Sequence, residues 1–176
     1  MQGLYYLANT LIMSARFLAK KYGEEQLRSK VSAQPCYLRF FNSTEHSVFL
    51  LWADYKGRLL VYRVLPPSSH CDVNTYATHP WLFLRFPTFD PMVVDREEVY
   101  FVPEPCGRQS TASDRTEVFI TNPLLSLRRL ALRSVRNALS SARGVALLEL
   151  PRGLQRELAQ LLEEDRERRR DLGLLR

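Results

Sequence analysis

Lysine is absent after Lys56, although arginine recurs to the last residue. Cysteine is scarce: Cys36, Cys71 and Cys106 are widely spaced and odd in number. No two sit at zinc-ligand spacing, and a disulfide framework would leave one over. Reduced thiols are therefore expected, and with them a cytoplasmic and nuclear location. The three histidines, His46, His70 and His79, are scattered, and no two flank a carboxylate at metal-ligand spacing. Neither a metal nor a cofactor is expected, and no nucleophile or acid-base pair stands out, so the chain reads as a non-enzyme. Uninterrupted apolar runs fall well short of the roughly eighteen residues that an ordinary membrane-spanning helix needs.

What is present is a chain of 176 residues with 45% hydrophobic residues, the balance of a folded domain rather than a disordered one. The net charge is +6, but its cations are interleaved with acids, as in the run from Glu163 to Asp171. Nucleic acid would call for clustered cations set among aromatics with few acids; this run reads instead as a solvated helix laced with short-range ion pairs. Near the start, Leu4, Tyr5, Leu7, Ala8, Leu11, Ile12, Ala15 and Leu18 recur at helical spacing. Polar residues interrupt that stripe and no basic region precedes it, so an amphipathic packing helix is expected there rather than a secretory signal.

The pattern changes near Pro123. Before it the signals are of strands: Ser47 to Ala53, a turn at Asp54–Gly57 with glycine where a positive φ is needed, and a return over Arg58 to Leu65. Trp81 to Phe86, Val99 to Pro103 and Thr116 to Thr121 read as further strands, and together they suggest a sandwich. After Pro123 the period is 3.6. Ser126 is placed as an N-cap, and Leu127, Leu130, Ala131, Val135, Ala138 and Leu139 share one helical face, with Arg128, Arg129, Arg133 and Arg136 largely away from it. A second helix is expected to start around Pro151, with a stripe of Leu154, Leu158, Leu161 and Leu162. The fold class expected is α+β, with an N-terminal helix over 1–26, a β-sandwich over 27–122 and a small all-α region over 123–176.

Trp52, Tyr62, Thr75, His79 and Trp81 are the candidate site. Two indoles, a phenol, a hydroxyl and an imidazole suit a saturated ring that carries one hydroxyl. The plain alternative is that both tryptophans are core residues, since aromatics dominate cores.

The wording around these residues is specific. Leu38-Arg-Phe-Phe-Asn42, Trp52, Asp54-Tyr-Lys-Gly57, Leu65-Pro-Pro67, Tyr76-Ala-Thr-His-Pro-Trp-Leu-Phe83, Val99-Tyr-Phe-Val-Pro103 and Ile120-Thr-Asn-Pro-Leu-Leu-Ser-Leu127 resemble the von Hippel-Lindau tumour suppressor family. The likeness covers most of residues 27 to 139, with one loop, Arg85 to Met92, of different length. It implies that Trp52 and Trp81 wall a 4-hydroxyproline ring, that Tyr62 holds the peptide backbone, and that Thr75 and His79 hydrogen-bond the 4-hydroxyl. Thr75 stands where the family has serine. Arg63, Val73 and Asn74 would flank the peptide, and Arg63 and Asn74 depart from the family's residues there.

Ser126-Leu-Arg-Arg-Leu-Ala-Leu-Arg-Ser-Val135 resembles the Elongin C-binding box of the same family and of SOCS-box proteins. It implies contacts through Leu127, Leu130, Ala131, Val135 and Arg136, with Ala131 in place of the box's cysteine. Leu150-Pro-Arg-Gly-Leu-Gln-Arg-Glu-Leu158 looks like a cullin-2-selecting box, implying contacts through Leu150, Pro151, Leu154 and Leu158. Gly153 stands where the cullin-5 variant prefers proline. The resemblance thus implies a substrate receptor of a cullin-RING ubiquitin ligase, with Elongin B, Elongin C and cullin-2 as partners. Its ligand would be a prolyl-hydroxylated peptide such as that of hypoxia-inducible factor α. Two alternatives stay open: a relative that shields hydroxylated substrate without assembling a ligase, and a sandwich scaffold whose pocket is filled by its own side chains.

Overall fold

The computed structural model describes residues 12–14, 18, 21–104, 111–139 and 142–171, in two compact units divided between Pro123 and Leu124. The first unit contains the strands β1 (Ile12–Ser14), β2 (Pro35–Asn42), β3 (Val48–Ala53), β4 (Arg58–Leu65), β5 (His70–Tyr76), β6 (Pro80–Arg85), β7 (Val99–Phe101) and β8 (Thr116–Ile120). They form a five-stranded sheet in the order β1-β4-β3-β6-β7 and a three-stranded sheet in the order β5-β2-β8. All pairings are antiparallel except β2 with β8. The expected α+β class, a two-sheet β unit followed by helices, is the architecture found.

Period-two sequence drives this arrangement. In β2, Cys36, Leu38, Phe40 and Asn42 are buried while the residues between them are half-exposed, as the strand pleat requires. Phe40 packs against Trp81, Phe83 and Tyr100, with ring centroids 5.4, 5.3 and 6.0 Å away. The first five residues of β6 are all buried, the mark of a strand covered on both faces. Cys36 and Cys71 are buried free thiols, and burial pushes both up from their ordinary range. Cys106 lies outside the described residues.

One expectation needs correction. Ile12–Ser14 form a strand against Leu60, Leu59 and Arg58 of β4, not part of a helix; Leu18, Lys21 and Tyr22 are helical. An open sheet edge offers unpaired N–H and C=O groups that a passing segment can satisfy, and this overrides helical periodicity. The rest of the proposed N-terminal helix up to residue 20 lies outside the described residues.

The β3–β4 turn sets the position of the site. Gly57 has φ +72°, which only glycine adopts without steric cost. The buried Asp54 carboxylate accepts from the backbone N–H of Lys56 (2.8 Å) and Arg58 (2.9 Å) and from Arg58 Nε (2.7 Å). Burial pushes its pKa up, but the bonds from Arg58 and Lys56 outweigh that and hold it below its ordinary value. Asp54→Ala is expected to cost about 2 kcal/mol, chiefly through the backbone donors left unpaired, read as a lowered urea midpoint.

In the second unit, α1 (Leu127–Ala138) and α2 (Arg152–Asp171) flank a short 3-10 segment, Ala142–Leu147. Ser126 caps α1 as expected, its Oγ accepting from Arg129 N at 3.3 Å. Leu132, Val145 and Leu158 form the small core, with Val135, Leu139, Leu154, Leu161 and Leu162 packed around it. The stripe expected on α2 is therefore its core face.

On α1 the core face is rotated from the expected one. Leu132 and Arg136 are buried, whereas Leu127, Leu130, Ala131 and Ala138 are exposed. The helix is apolar on two stripes, and period alone cannot say which of them meets α2. Arg136 turns inward because its guanidinium has partners there: Nη2 donates to Asn137 Oδ1 at 2.8 Å, and Nη1 lies 3.8 Å from Asp165 Oδ1.

Candidate functional site

Four strands and one connection deliver the candidate residues to one place. Trp52 of β3 and Trp81 of β6 are direct cross-strand partners, so their side chains stand on the same face of the sheet. Between Leu50 and Leu51 the partner in β4 jumps from Arg63 to Val61, which makes Tyr62 an extra residue in a β-bulge. Bulges re-aim side chains beside functional sites. Here the bulge leaves Tyr62 49% exposed with its ring edge-on to Trp81 at 5.3 Å. Thr75 comes from β5 and His79 from the turn before β6, where His79 N donates to Tyr76 O at 3.2 Å. In that turn Thr78 has φ +68°, an unusual conformation for a β-branched residue and one that clusters at functional sites.

The polar end is nearly closed to solvent: Thr75, His79 and Trp81 are 5%, 3% and 2% exposed. Its hydrogen bonds follow from donor and acceptor inventories. His79 Nε2 lies 3.3 Å from the Lys30 carbonyl, which only accepts, so Nε2 carries the proton. Burial pushes the His79 pKa below its ordinary 6.5, against the Lys30 bond that pulls it up. The ring is thus neutral at pH 7 and Nδ1 is an acceptor. Trp81 Nε1 donates to Thr75 Oγ1 at 3.3 Å, leaving the threonine O–H to point at His79 Nδ1, 3.5 Å away.

That last separation is long for a hydrogen bond. A ligand hydroxyl can replace it with two better ones, accepting from Thr75 and donating to His79. A bare methylene satisfies neither group, and a carboxylate oxygen meets the Nδ1 lone pair. Trp52 supplies only its face, because its Nε1 donates to Ser29 Oγ (2.8 Å), which in turn donates to Ala53 O (2.6 Å).

The His79 pKa gives a signed prediction. A folded-state value below the unfolded one means that the unfolded chain takes up the proton first. The associated stability is present above about pH 6.5 and is lost as pH falls through the folded value. Protonated Nδ1 also stops accepting. Hydroxyl binding and the urea midpoint are therefore expected to fall together below pH 6.5, and His79→Gln to remove that dependence.

Sequence reading missed four contributors. Ser29 fixes Trp52, the Lys30 carbonyl fixes the His79 tautomer, and Tyr55 and Tyr76 stand 5.7 and 5.4 Å from the His79 ring. Tyr55 and Tyr76 lie inside motifs that carry the resemblance and Ser29 lies inside its span, but their residue types alone do not mark these roles, and the Lys30 carbonyl is a backbone group with no signal. Val73 is a correction: it is fully buried in the sandwich core, because β5 alternates and Val73 faces inward with Thr75. Arg63 and Asn74 are exposed.

A family model for the VHL beta domain matches residues 27–108. Protein Vhl of Drosophila melanogaster is 30% identical over 137 residues, covering 72% of this chain and 77% of that protein. The chain belongs to the von Hippel-Lindau family. The span of the family's β domain takes in all five residues of the aromatic cluster, and the 137-residue similarity is longer than that domain.

The helical candidates divide. Leu127 (86% exposed) and Leu130 stand in solvent, Ala131 is exposed and Val135 half-buried. Arg136 and Leu158 are corrections: Arg136 is buried, and Leu158, with no exposed surface, is a core residue with nothing for a partner to touch. Pro151 is exposed, and Leu150 and Leu154 are half-buried against the helical core. A cleft of about 260 Å³ lies between α1 and α2. Its charges are matched, Arg128 with Glu157 and Arg129 with Glu164, so it offers a ligand no net charge. Among the described residues no group of three or more side chains could hold a metal ion, and no helix is long and apolar enough to cross a membrane.

Proposed function

We propose that this protein is the substrate-recognition subunit of a cullin-RING ubiquitin ligase, and that it binds peptides carrying 4-hydroxyproline, of the kind found in hypoxia-inducible factor α. The observation that carries the reading is the opposed pair at the closed end of the aromatic cluster. Thr75 presents a donor and His79 Nδ1 an acceptor, 3.5 Å apart, beside Trp81 and Trp52. A pyrrolidine ring fits between aromatic faces, and its 4-hydroxyl has the one donor and one acceptor that the pair needs. Sites built to bond a hydroxyl reject the analogue lacking it by about ten-thousand-fold, because their own polar groups are then left unpaired. Binding therefore reports whether a prolyl hydroxylase has acted, and no catalytic residue is required.

The ligase half of the proposal rests on Leu127, Leu130 and Ala131, an apolar patch that the helical unit leaves open on a segment resembling an Elongin C-binding box. The partners are Elongin B, Elongin C and cullin-2, in the cytoplasm and nucleus. A second reading is favoured by one residue. Ala131 presents a methyl where the box has a thiol, and the lost contact costs on the order of 1 kcal/mol. A chain that binds hydroxylated substrate and recruits Elongin C poorly shields the substrate instead.

A bridging assay separates the two readings. A hydroxyproline peptide on beads is expected to retain Elongin B/C and cullin-2 only when this chain is added, and the proline peptide to retain none. Retention of the chain without Elongin B/C favours shielding. Equal retention of the chain by both peptides removes both.

A further inference from the structure

Residues 29–33 lie in neither helix nor strand. No ladder of backbone bonds holds them, yet the Lys30 carbonyl among them sets which nitrogen of His79 carries the proton. Two anchors bracket that carbonyl. On one side Ser29 N donates to Asp54 O (3.1 Å) and Ser29 Oγ to Ala53 O (2.6 Å). On the other, the hydroxyls of Ser32 and Tyr55 share a hydrogen bond of 2.6 Å. Between the anchors Lys30 and Val31 are exposed, Val31 84% so, and burial does little to fix them. Tyr55 is itself well placed to act as an anchor. Its turn is closed by Asp54 N donating to Arg58 O (2.9 Å) and Gly57 N to Asp54 O (3.0 Å). Its ring stands edge-on to Trp52 at 5.8 Å and to His79 at 5.7 Å, both at 87°.

We propose that Tyr55 is a positioning residue for hydroxyl recognition: through Ser32 it holds the Lys30 carbonyl against His79 Nε2 and so keeps Nδ1 free to accept. The proposal deepens the hydroxyproline reading and rests on it for the effect on affinity. The bond from Nε2 to the Lys30 carbonyl, at 3.3 Å, is near the long end of the range for an N–H donor. A small retreat of the carbonyl therefore loses it. A neutral imidazole carries its proton on either nitrogen, and the bond made by one nitrogen decides the state of the other. A proton on Nδ1 removes the acceptor that the ligand hydroxyl needs. One exposed neutral hydrogen bond contributes modestly, so the effect is severalfold and not the full preference for the hydroxylated peptide.

Anisotropy with a fluorescent hydroxyproline peptide, and nitrogen-15 spectra of the imidazoles, test this on the full chain. Tyr55→Phe keeps both ring contacts and deletes one hydroxyl; Ser32→Ala deletes the other. Each is expected to weaken the hydroxyproline peptide about fivefold, with the proline twin and the urea midpoint nearly unchanged. The double variant is expected to lose the same factor, because the two hydroxyls make a single bond. Ser32→Thr keeps a hydroxyl and is expected to bind as the wild type does. The wild-type spectra are expected to show the His79 proton on Nε2, and those of Tyr55→Phe to show a share of it on Nδ1. Wild-type affinity in Tyr55→Phe, an additive loss of roughly twenty-fivefold in the double variant, or an unchanged tautomer in Tyr55→Phe overturns the proposal and leaves the pocket untouched. Equal affinity of the wild-type chain for the two peptides overturns the hydroxyproline reading and the role in recognition together, while the spectra still decide whether Tyr55 sets the tautomer.

Discussion

Thr75→Val lowers affinity for a hydroxyproline peptide by about thirtyfold and leaves affinity for the proline peptide unchanged. Valine keeps the shape of threonine and deletes one O–H group, so the ligand hydroxyl loses its donor and keeps only His79 Nδ1 as an acceptor. A hydrogen bond lost in a site this closed costs about 2 kcal/mol, and 1.4 kcal/mol is about tenfold. His79→Phe removes the other half, and the double variant is expected to bind both peptides alike. Thr75→Val also orphans Trp81 Nε1, whose acceptor is Thr75 Oγ1. The variant therefore loses about 1–2 kcal/mol of stability by chemical denaturation. A preference that survives in the double variant places the hydroxyl somewhere else.

Leu127→Asp abolishes co-purification with Elongin B/C while leaving the fold intact. Leu127 is the first residue of α1, and nearly all of its surface is exposed. Burying a leucine in a partner's pocket is worth about 1.5–3 kcal/mol, and forcing an unpaired carboxylate into the same pocket adds several more. The sum is a loss of more than a thousandfold. The helix itself tolerates the change, because a negative charge in the first turn is favourable to the helix dipole. The urea midpoint is therefore expected to move little. Ala131→Cys, in contrast, restores the family residue and is expected to tighten Elongin C by roughly fivefold, about 1 kcal/mol of added contact. Full recovery of Elongin B/C with Leu127→Asp sends the search for that interface elsewhere on the chain.

The parts of this structure legible in the sequence are those set by local chemistry. The Asp54–Gly57 turn is one, since its glycine must take a positive φ. The Ser126 cap is another, since a hydroxyl before a helical stripe satisfies an orphaned N–H. The stripe Leu154, Leu158, Leu161 and Leu162 is a third, and it forms the core face of α2 as its spacing implied.

What was illegible depends on contacts made at long range. β5 reads poorly as a strand because its outward residues, His70, Asp72 and Asn74, carry no β signal. β1 is a strand only because β4 has an open edge. Arg136 is buried because Asn137 and Asp165 await it, a fact no helical wheel contains. At the site, the residue types came from the sequence and its resemblance. The roles of Ser29 and the Lys30 carbonyl did not, because they act across 23 and 49 residues of chain.

The central claim is that a neutral imidazole and a threonine hydroxyl read one oxygen atom. Calorimetry at pH 7.5 on the wild-type chain, with two peptides that differ only in hydroxylation of a single proline, tests it most directly. A preference of a thousandfold or more for the hydroxylated peptide, shrinking as pH falls below 6.5, is the predicted result. Equal affinities for the two peptides contradict the account.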